Sequence, residues 1–164
     1  QLRPVIVDSP FEGDSVLSPS GRLVISRLAG GPEGNSLGYV IREVAATRSG
    51  DSYEIDISRV VARLCIPGAK ANISFDERFV ATHQYEGDTA IILLVDLLTG
   101  EQHRITDMPA GAKALFPHFR SDNWLYFYQS NSVCFFIFIY DTRILALLVT
   151  CKKISHLNRK MMVV

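Results

Sequence analysis

The chain of 164 residues is 48% hydrophobic and 21% charged, a composition typical of a folded domain with a buried core rather than of a disordered chain. Its 17 Lys and Arg residues balance its 17 Asp and Glu residues, so no net charge attracts it to nucleic acid or to an anionic membrane. We therefore expect no nucleic-acid partner.

In chain order, three segments share one pattern: an apolar start, a polar turn and a second apolar run. They are residues 17–25 (LSPSGRLVI), 73–81 (ISFDERFVA) and 119–127 (FRSDNWLYF). Their turns centre on Ser20, Asp76 and Asp122, which lie 56 and 46 residues apart. Proline, glycine and aspartate at these places favour tight turns, and the flanking residues favour strands. We predict antiparallel hairpins near residues 18–21, 75–78, 98–101 and 121–124.

A second pattern repeats with nearly the same spacing. Residues 91–100 (IILLVDLLTG) form an apolar run that ends in an aspartate and a Thr-Gly turn, and residues 137–142 (IFIYDT) repeat the aspartate 45 residues later. Residues 39–43 (YVIRE) are a weaker copy upstream. Because residues 91–95 are all apolar, we predict a strand covered on both faces. Two patterns with matching offsets indicate a repeat of 40–50 residues built from short strands.

Three further segments bear on the fold. Residues 57–64 are compatible with a short helix or a loop, and the Gly-rich residues 29–38 predict a flexible connection. Residues 133–151 are long and apolar enough for a membrane span, but Asp141 and Arg143 interrupt the middle. Two buried strands are favoured over a membrane span. A third alternative is that this tail is not the native continuation of the repeats.

The repeats resemble those of TolB-like, WD-related β-propellers. Three motifs carry this resemblance: L-S-P-S-G-R at 17–22, P-x-F-x-S-D-N at 117–123 and V-D-L-L-T-G-E at 95–101. The resemblance covers residues 14–142. It departs from the family pattern at Ser20, where aspartate is usual, at Phe75, where proline is usual, and at Arg120, where a small residue is usual.

The resemblance implies an all-β fold, a partial β-propeller of antiparallel four-stranded blade-like repeats at residues 14–66, 71–110 and 114–150. Residues 1–164 would then be a single domain or a domain fragment with a basic tail at 151–164. Residues 116–119 would form an innermost strand with Pro117 at its start. Three blades cannot close a ring that needs about 4–8, so we expect the isolated chain to self-associate. The chain begins at Gln1, which fits either a removed leader or a piece of a longer protein.

The sequence carries none of the common catalytic or metal-binding motifs. The sequence has no G-x-S-x-G elbow, no pair of histidines four residues apart and no Cys-x-x-Cys. We therefore expect no catalytic residues, no cofactor and no metal. The three cysteines are expected to be free, buried thiols. His83, at the end of its strand, and His118, on an inner strand, are expected to be hydrogen-bonded structural residues.

The function implied by the resemblance is that of a non-catalytic binding or scaffold module, engaging a protein partner or a small ligand. The candidate contact residues are Asn72, His118 and Arg120, on or beside the predicted inner strands. The alternative is the propeller portion of a larger enzyme, for example a serine peptidase, whose catalytic domain lies outside these residues. A periplasmic or secreted location is implied by the resemblance alone.

Overall fold

The chain forms fourteen strands in the residues that the computed structural model describes, which are 12–31, 34–121, 124–129, 132–141 and 144–153. The strands are β1 Glu12–Leu17, β2 Leu23–Leu28, β3 Gly38–Glu43, β4 Ala45–Ser49, β5 Ser52–Asp56, β6 Val60–Leu64, β7 Ala71–Ile73, β8 Phe79–Glu86, β9 Thr89–Asp96, β10 Gln102–Arg104, β11 Ala114–Phe119, β12 Trp124–Gln129, β13 Ser132–Asp141 and β14 Ile144–Lys153. The prediction of an all-β, antiparallel fold is confirmed.

Three four-stranded sheets follow one another along the chain. Sheet 1 has the strand order β1-β2-β3-β6, sheet 2 has β10-β9-β8-β7, and sheet 3 has β11-β12-β13-β14. Neighbouring strands in every sheet are antiparallel. Strands β4 and β5 lie between β3 and β6 in the sequence, but they form a separate two-stranded hairpin outside sheet 1.

Sheet 2 packs between the other two sheets, which explains its continuous apolar strand. On β9, Ile92 and Leu94 belong to a core shared with Phe119, Leu125 and other residues of sheet 3. The alternate residues Leu93 and Val95 belong to a second core shared with residues of sheet 1. Because successive side chains of a strand point to opposite faces, a strand covered on both sides must be apolar at every position. The prediction for residues 91–95 is confirmed.

The polar turns repeat at the level of individual hydrogen bonds. In sheet 1 the Ser18 N–H donates to the Leu23 carbonyl over 2.8 Å, and in sheet 2 the Ser74 N–H donates to Phe79 over 2.9 Å. Each serine Oγ also accepts the N–H of that same partner, at 3.0 and 2.8 Å. The predicted turns at 18–21, 75–78 and 98–101 lie in the β1–β2, β7–β8 and β9–β10 connections. The fourth falls in the β11–β12 connection, where residues 122 and 123, including the predicted centre Asp122, lie outside the described residues.

The first strands of sheets 1 and 3 share a bulge as well. The β1–β2 register shifts between Gly13 and Val16, and the β11–β12 register shifts between Leu115 and His118. Within these bulges, Asp14 and Phe116 have φ values of 47° and 55°. Pro117 therefore lies inside an edge strand at a bulge, not at the start of the strand as predicted. Its missing N–H is tolerated there because the bulge interrupts the ladder.

The predictions for residues 57–64 and for Cys65 also need correction. In the segment 57–64, residues 57–59 form a loop, which was one of the two alternatives. Residues 60–64 instead form strand β6, because its alternate residues Ala62 and Leu64 pack on the core. The odd-numbered residues 61 and 63 of the same strand face solvent. Cys65 continues this alternation just beyond the strand and is therefore exposed, not buried as predicted.

The loop of residues 29–38 is anchored rather than flexible in its described part, which omits residues 32 and 33. Asn35 is buried, and its side chain donates to the Tyr85 carbonyl and accepts the Tyr85 N–H, both at 2.8 Å. The loop thereby ties sheet 1 to sheet 2.

Within the apolar segment 133–151, β13 and β14 are strands, as favoured, and these complete sheet 3. The predicted burial of the two strands, and residues 142 and 143 between them, lie outside what the structure describes. In the part of the chain that the structure describes, no helix is long and apolar enough to cross a membrane. Residues 154–164 of the predicted basic tail lie outside the described residues.

Candidate functional site

The β11–β12 turn departs from the two turns that it repeats. Six residues separate the paired Leu17 and Val24 in sheet 1, and six separate Ile73 and Val80 in sheet 2. Only five separate Phe119 and Leu125 in sheet 3. The position that follows the first strand is a buried serine in sheets 1 and 2, and it is Arg120 in sheet 3.

Arg120 keeps the backbone role of the serines but not their side-chain role. Its N–H donates to the Trp124 carbonyl over 2.9 Å, which matches the bonds made by Ser18 and Ser74. Its guanidinium is exposed, and Nη1 donates to the Tyr126 hydroxyl over 2.8 Å. This bond fixes the orientation of the cation along strand β12.

Asn72 and His118 occupy equivalent positions of neighbouring repeats and contact each other. Asn72 lies two residues before Ser74, and His118 lies two residues before Arg120. The Asn72 side-chain amide donates to His118 Nδ1 over 3.4 Å, and Asn72 Oδ1 accepts the Phe119 N–H at 3.1 Å. Asn72 thus links sheet 2 to sheet 3 directly below the β11–β12 turn.

An open pocket of about 450 Å³ lies beside the β7–β8 and β11–β12 turns. We call it the junction pocket, and it is lined by Phe75, His118, Phe119, Arg120, Ser121 and Tyr126. Phe119 is buried, whereas Phe75 is 46% exposed. The pocket combines aromatic surface with one guanidinium and one imidazole, and none of its six lining residues carries a carboxylate.

Phe75 is held in the pocket wall by the turn on which it stands. The Ser74 hydroxyl donates to the Asp76 carboxylate over 2.6 Å, and that carboxylate accepts the Arg78 N–H at 3.2 Å. Glu77 in the same turn has a φ of 59°, a conformation that bends the chain sharply and that few non-glycine residues adopt. The turn therefore presents Phe75 on its outer side.

Two of the three residues proposed from the sequence line the junction pocket. His118 and Arg120 are lining residues, whereas Asn72 lies beneath them and positions His118 and the Phe119 backbone. Sequence reasoning missed Phe75 and Tyr126. Phe75 carried a signal, since an aromatic ring replaces proline in an exposed turn. Tyr126 carried none, because its pairing opposite His118 depends on the length of the third turn.

His83 does not belong to the junction pocket. It lies within β8, which continues to Glu86, so the prediction that it ends its strand is wrong. It is only 1% exposed, its Nδ1 accepts the Phe116 N–H at 3.3 Å, and its ring packs edge-on against Phe116 and Tyr85. Burial, followed by the positive charges of Lys70 and Arg27, lowers the pKa of His83 from 6.5 to about 4.

Comparisons with known proteins do not assign the chain to a family. No family model matches the chain, and a comparison with curated proteins finds no significant match. Among the residues that the structure describes, no group of three or more His, Cys, Asp or Glu side chains is placed to hold a metal ion.

Proposed function

We propose that the chain is a non-catalytic binding module, part of a TolB-like β-propeller, whose partner contacts the junction pocket. The order of the three sheets supports a propeller, since each is a four-stranded antiparallel meander and each packs on the next. In this proposal β1, β7 and β11 are the inner strands, and β11 packs against β7.

One observation carries the proposal: the repeat is broken at Arg120. A serine at this position caps the turn in sheets 1 and 2 by accepting a backbone N–H. In sheet 3 an exposed arginine stands there instead, beside the junction pocket. Departures from local structural rules concentrate at functional sites, where an interaction with a partner compensates for the loss.

The other two repeats indicate which variant tests this proposal. Arg120→Ser gives sheet 3 the residue that sheets 1 and 2 use, and its fold can be checked from the dispersion of its amide NMR signals. A library of small fragments is screened by ligand-observed NMR against the wild type and this variant. We expect fragments that bind the wild type and lose binding in Arg120→Ser.

Arg48→Ser is the matched control. Arg48 is also an exposed arginine, and it lies on the β4–β5 hairpin, where its Nε donates to the Gly50 carbonyl. It does not line the junction pocket. Fragments that respond equally to both substitutions, or a wild type that binds none of them, would contradict the proposal.

A further inference from the structure

The chemistry of the junction pocket indicates which class of partner it accepts. The pocket presents the Arg120 guanidinium, whose planar set of donors matches the two oxygens of a carboxylate. The Tyr126 hydroxyl holds this guanidinium in place over 2.8 Å, so less conformational freedom is lost when an anion binds. Since none of the six lining residues is acidic, nothing in the lining repels that anion.

The apolar part of the pocket adds a second requirement. The exposed Phe75 ring and the edge of buried Phe119 form a wall beside the cation. An aromatic or aliphatic group next to the carboxylate would cover this wall and remove apolar surface from water. A ligand that is only charged would leave it exposed.

The shape of the pocket favours a segment of polypeptide over a small metabolite. Sites for small molecules enclose most of the ligand surface, whereas this pocket of about 450 Å³ is open and lies between two turns. It accommodates one or two side chains from a segment whose backbone passes outside.

We infer that the junction pocket binds an acidic peptide segment of a partner protein, with an Asp or Glu carboxylate on Arg120 and a neighbouring aromatic or aliphatic side chain against Phe75. This inference rests on the proposed function and adds the chemical class of the partner. The recognition mode is that of an arginine-based acidic-motif site.

Trp124 supplies a built-in reporter. It is the only tryptophan of the chain, and its ring centroid lies 6.3 Å from that of Tyr126. The probe is the peptide acetyl-Gly-Asp-Tyr-Glu-Gly-amide, and its matched neutral control is acetyl-Gly-Asn-Tyr-Gln-Gly-amide. Each is titrated while tryptophan emission is recorded with excitation that spares tyrosine.

We expect the acidic peptide to bind at least about 10-fold more tightly than the neutral one, the ratio that corresponds to one charge-assisted hydrogen bond. Arg120→Ser should reduce its affinity to that of the neutral peptide, and Arg48→Ser should leave it unchanged. Arg120→Lys keeps the charge without the planar donors and should give an intermediate affinity. It also serves as the test variant if Arg120→Ser does not fold.

Two outcomes would overturn the inference. Equal affinities for the two peptides, with binding still lost in Arg120→Ser, would refute the acidic class while leaving the junction pocket as a binding site. No response of the wild type to either peptide would refute the acidic class as well, and the fragment screen would then decide the proposed function by itself.

Discussion

His83 is a buried histidine that the fold keeps neutral. Its Nδ1 accepts the Phe116 N–H, an interaction that a protonated imidazole cannot make. Because burial lowers its pKa to about 4, the unfolded chain binds a proton at His83 between about pH 6.5 and pH 4 that the folded chain does not. The contribution of this residue to stability is therefore complete above pH 6.5 and declines as the pH falls to 4.

We predict that the difference in free energy of unfolding between the wild type and His83→Gln changes with pH. Glutamine does not titrate, so the free energy of unfolding of the wild type should fall relative to that of the variant by about 3 kcal/mol between pH 7 and pH 4. Urea denaturation at a series of pH values measures it. A constant difference between the wild type and His83→Gln would show that His83 titrates normally.

Asn72 is the residue through which sheet 2 holds the start of the β11–β12 turn. Asn72→Ala removes the acceptor of the Phe119 N–H, and we expect a loss of about 1 kcal/mol in the free energy of unfolding. Asn72→Asp retains an oxygen acceptor and should keep Phe119 protected. Hydrogen exchange at the Phe119 amide measures the difference, and equal exchange rates in the two variants would exclude the proposed link.

At the level of the elements, Gly68 packs against a contact between sheets 1 and 2. The Tyr39 hydroxyl and Thr82 Oγ1 form a buried hydrogen bond of 2.6 Å between these sheets. A Cβ at Gly68 would lie 2.5 Å from the Tyr39 hydroxyl and would also collide with Thr82. Two buried side chains that are bonded to each other cannot easily move apart.

We predict that Gly68→Ala destabilises the chain by about 1–3 kcal/mol, the cost of overpacking a core. Gly13→Ala is the control, because nothing lies within 4 Å of a Cβ at Gly13, and it should change stability by less than about 0.5 kcal/mol. Urea denaturation of both variants makes the comparison. Equal effects would mean that the contact between the sheets adjusts freely.

The sequence predicted the turns and strands whose own residues determine them. The serines, prolines and aspartates of the turns act locally, so the turns at 18–21 and 75–78 were visible without a structure. Strand β6 was not, because Val60, Val61 and Leu64 also fit one face of a helix, and only packing against sheet 1 selects the strand. The anchoring of Asn35 depends on Tyr85, 50 residues away, which no local pattern encodes.

The candidate site was partly predictable for the same reason. Arg120 stood out as a departure within an aligned repeat, and His118 was proposed from its place on a predicted inner strand; the sequence allows both comparisons. The shortening of the third turn by one residue could not be seen, because the apolar run after it tolerates a shift in alignment. Phe75 and Tyr126 join the junction pocket only through the packing of sheet 3 on sheet 2.

At the level of the whole molecule, the outer strand β14 is an edge of sheet 3. Its sequence ILALLVTCKK is apolar at six consecutive positions, and an apolar edge strand pairs readily with other chains. We predict that the 164-residue chain self-associates, so that its mass from light scattering rises with concentration. Leu147→Lys places a charge on this edge and should reduce the association. A mass that stays monomeric at all concentrations would contradict the prediction.

The central claim is that Arg120 serves binding rather than the stability of the fold. The direct test is the free energy of unfolding of Arg120→Ser and of the wild type, each measured by urea denaturation with and without a saturating amount of the acidic peptide. The account predicts that Arg120→Ser is at least as stable as the wild type without peptide, because a serine at this position caps the turn in sheets 1 and 2. It also predicts that the peptide stabilises the wild type alone. A variant that is less stable by more than about 1 kcal/mol without peptide, or that the peptide stabilises as much as the wild type, would contradict it.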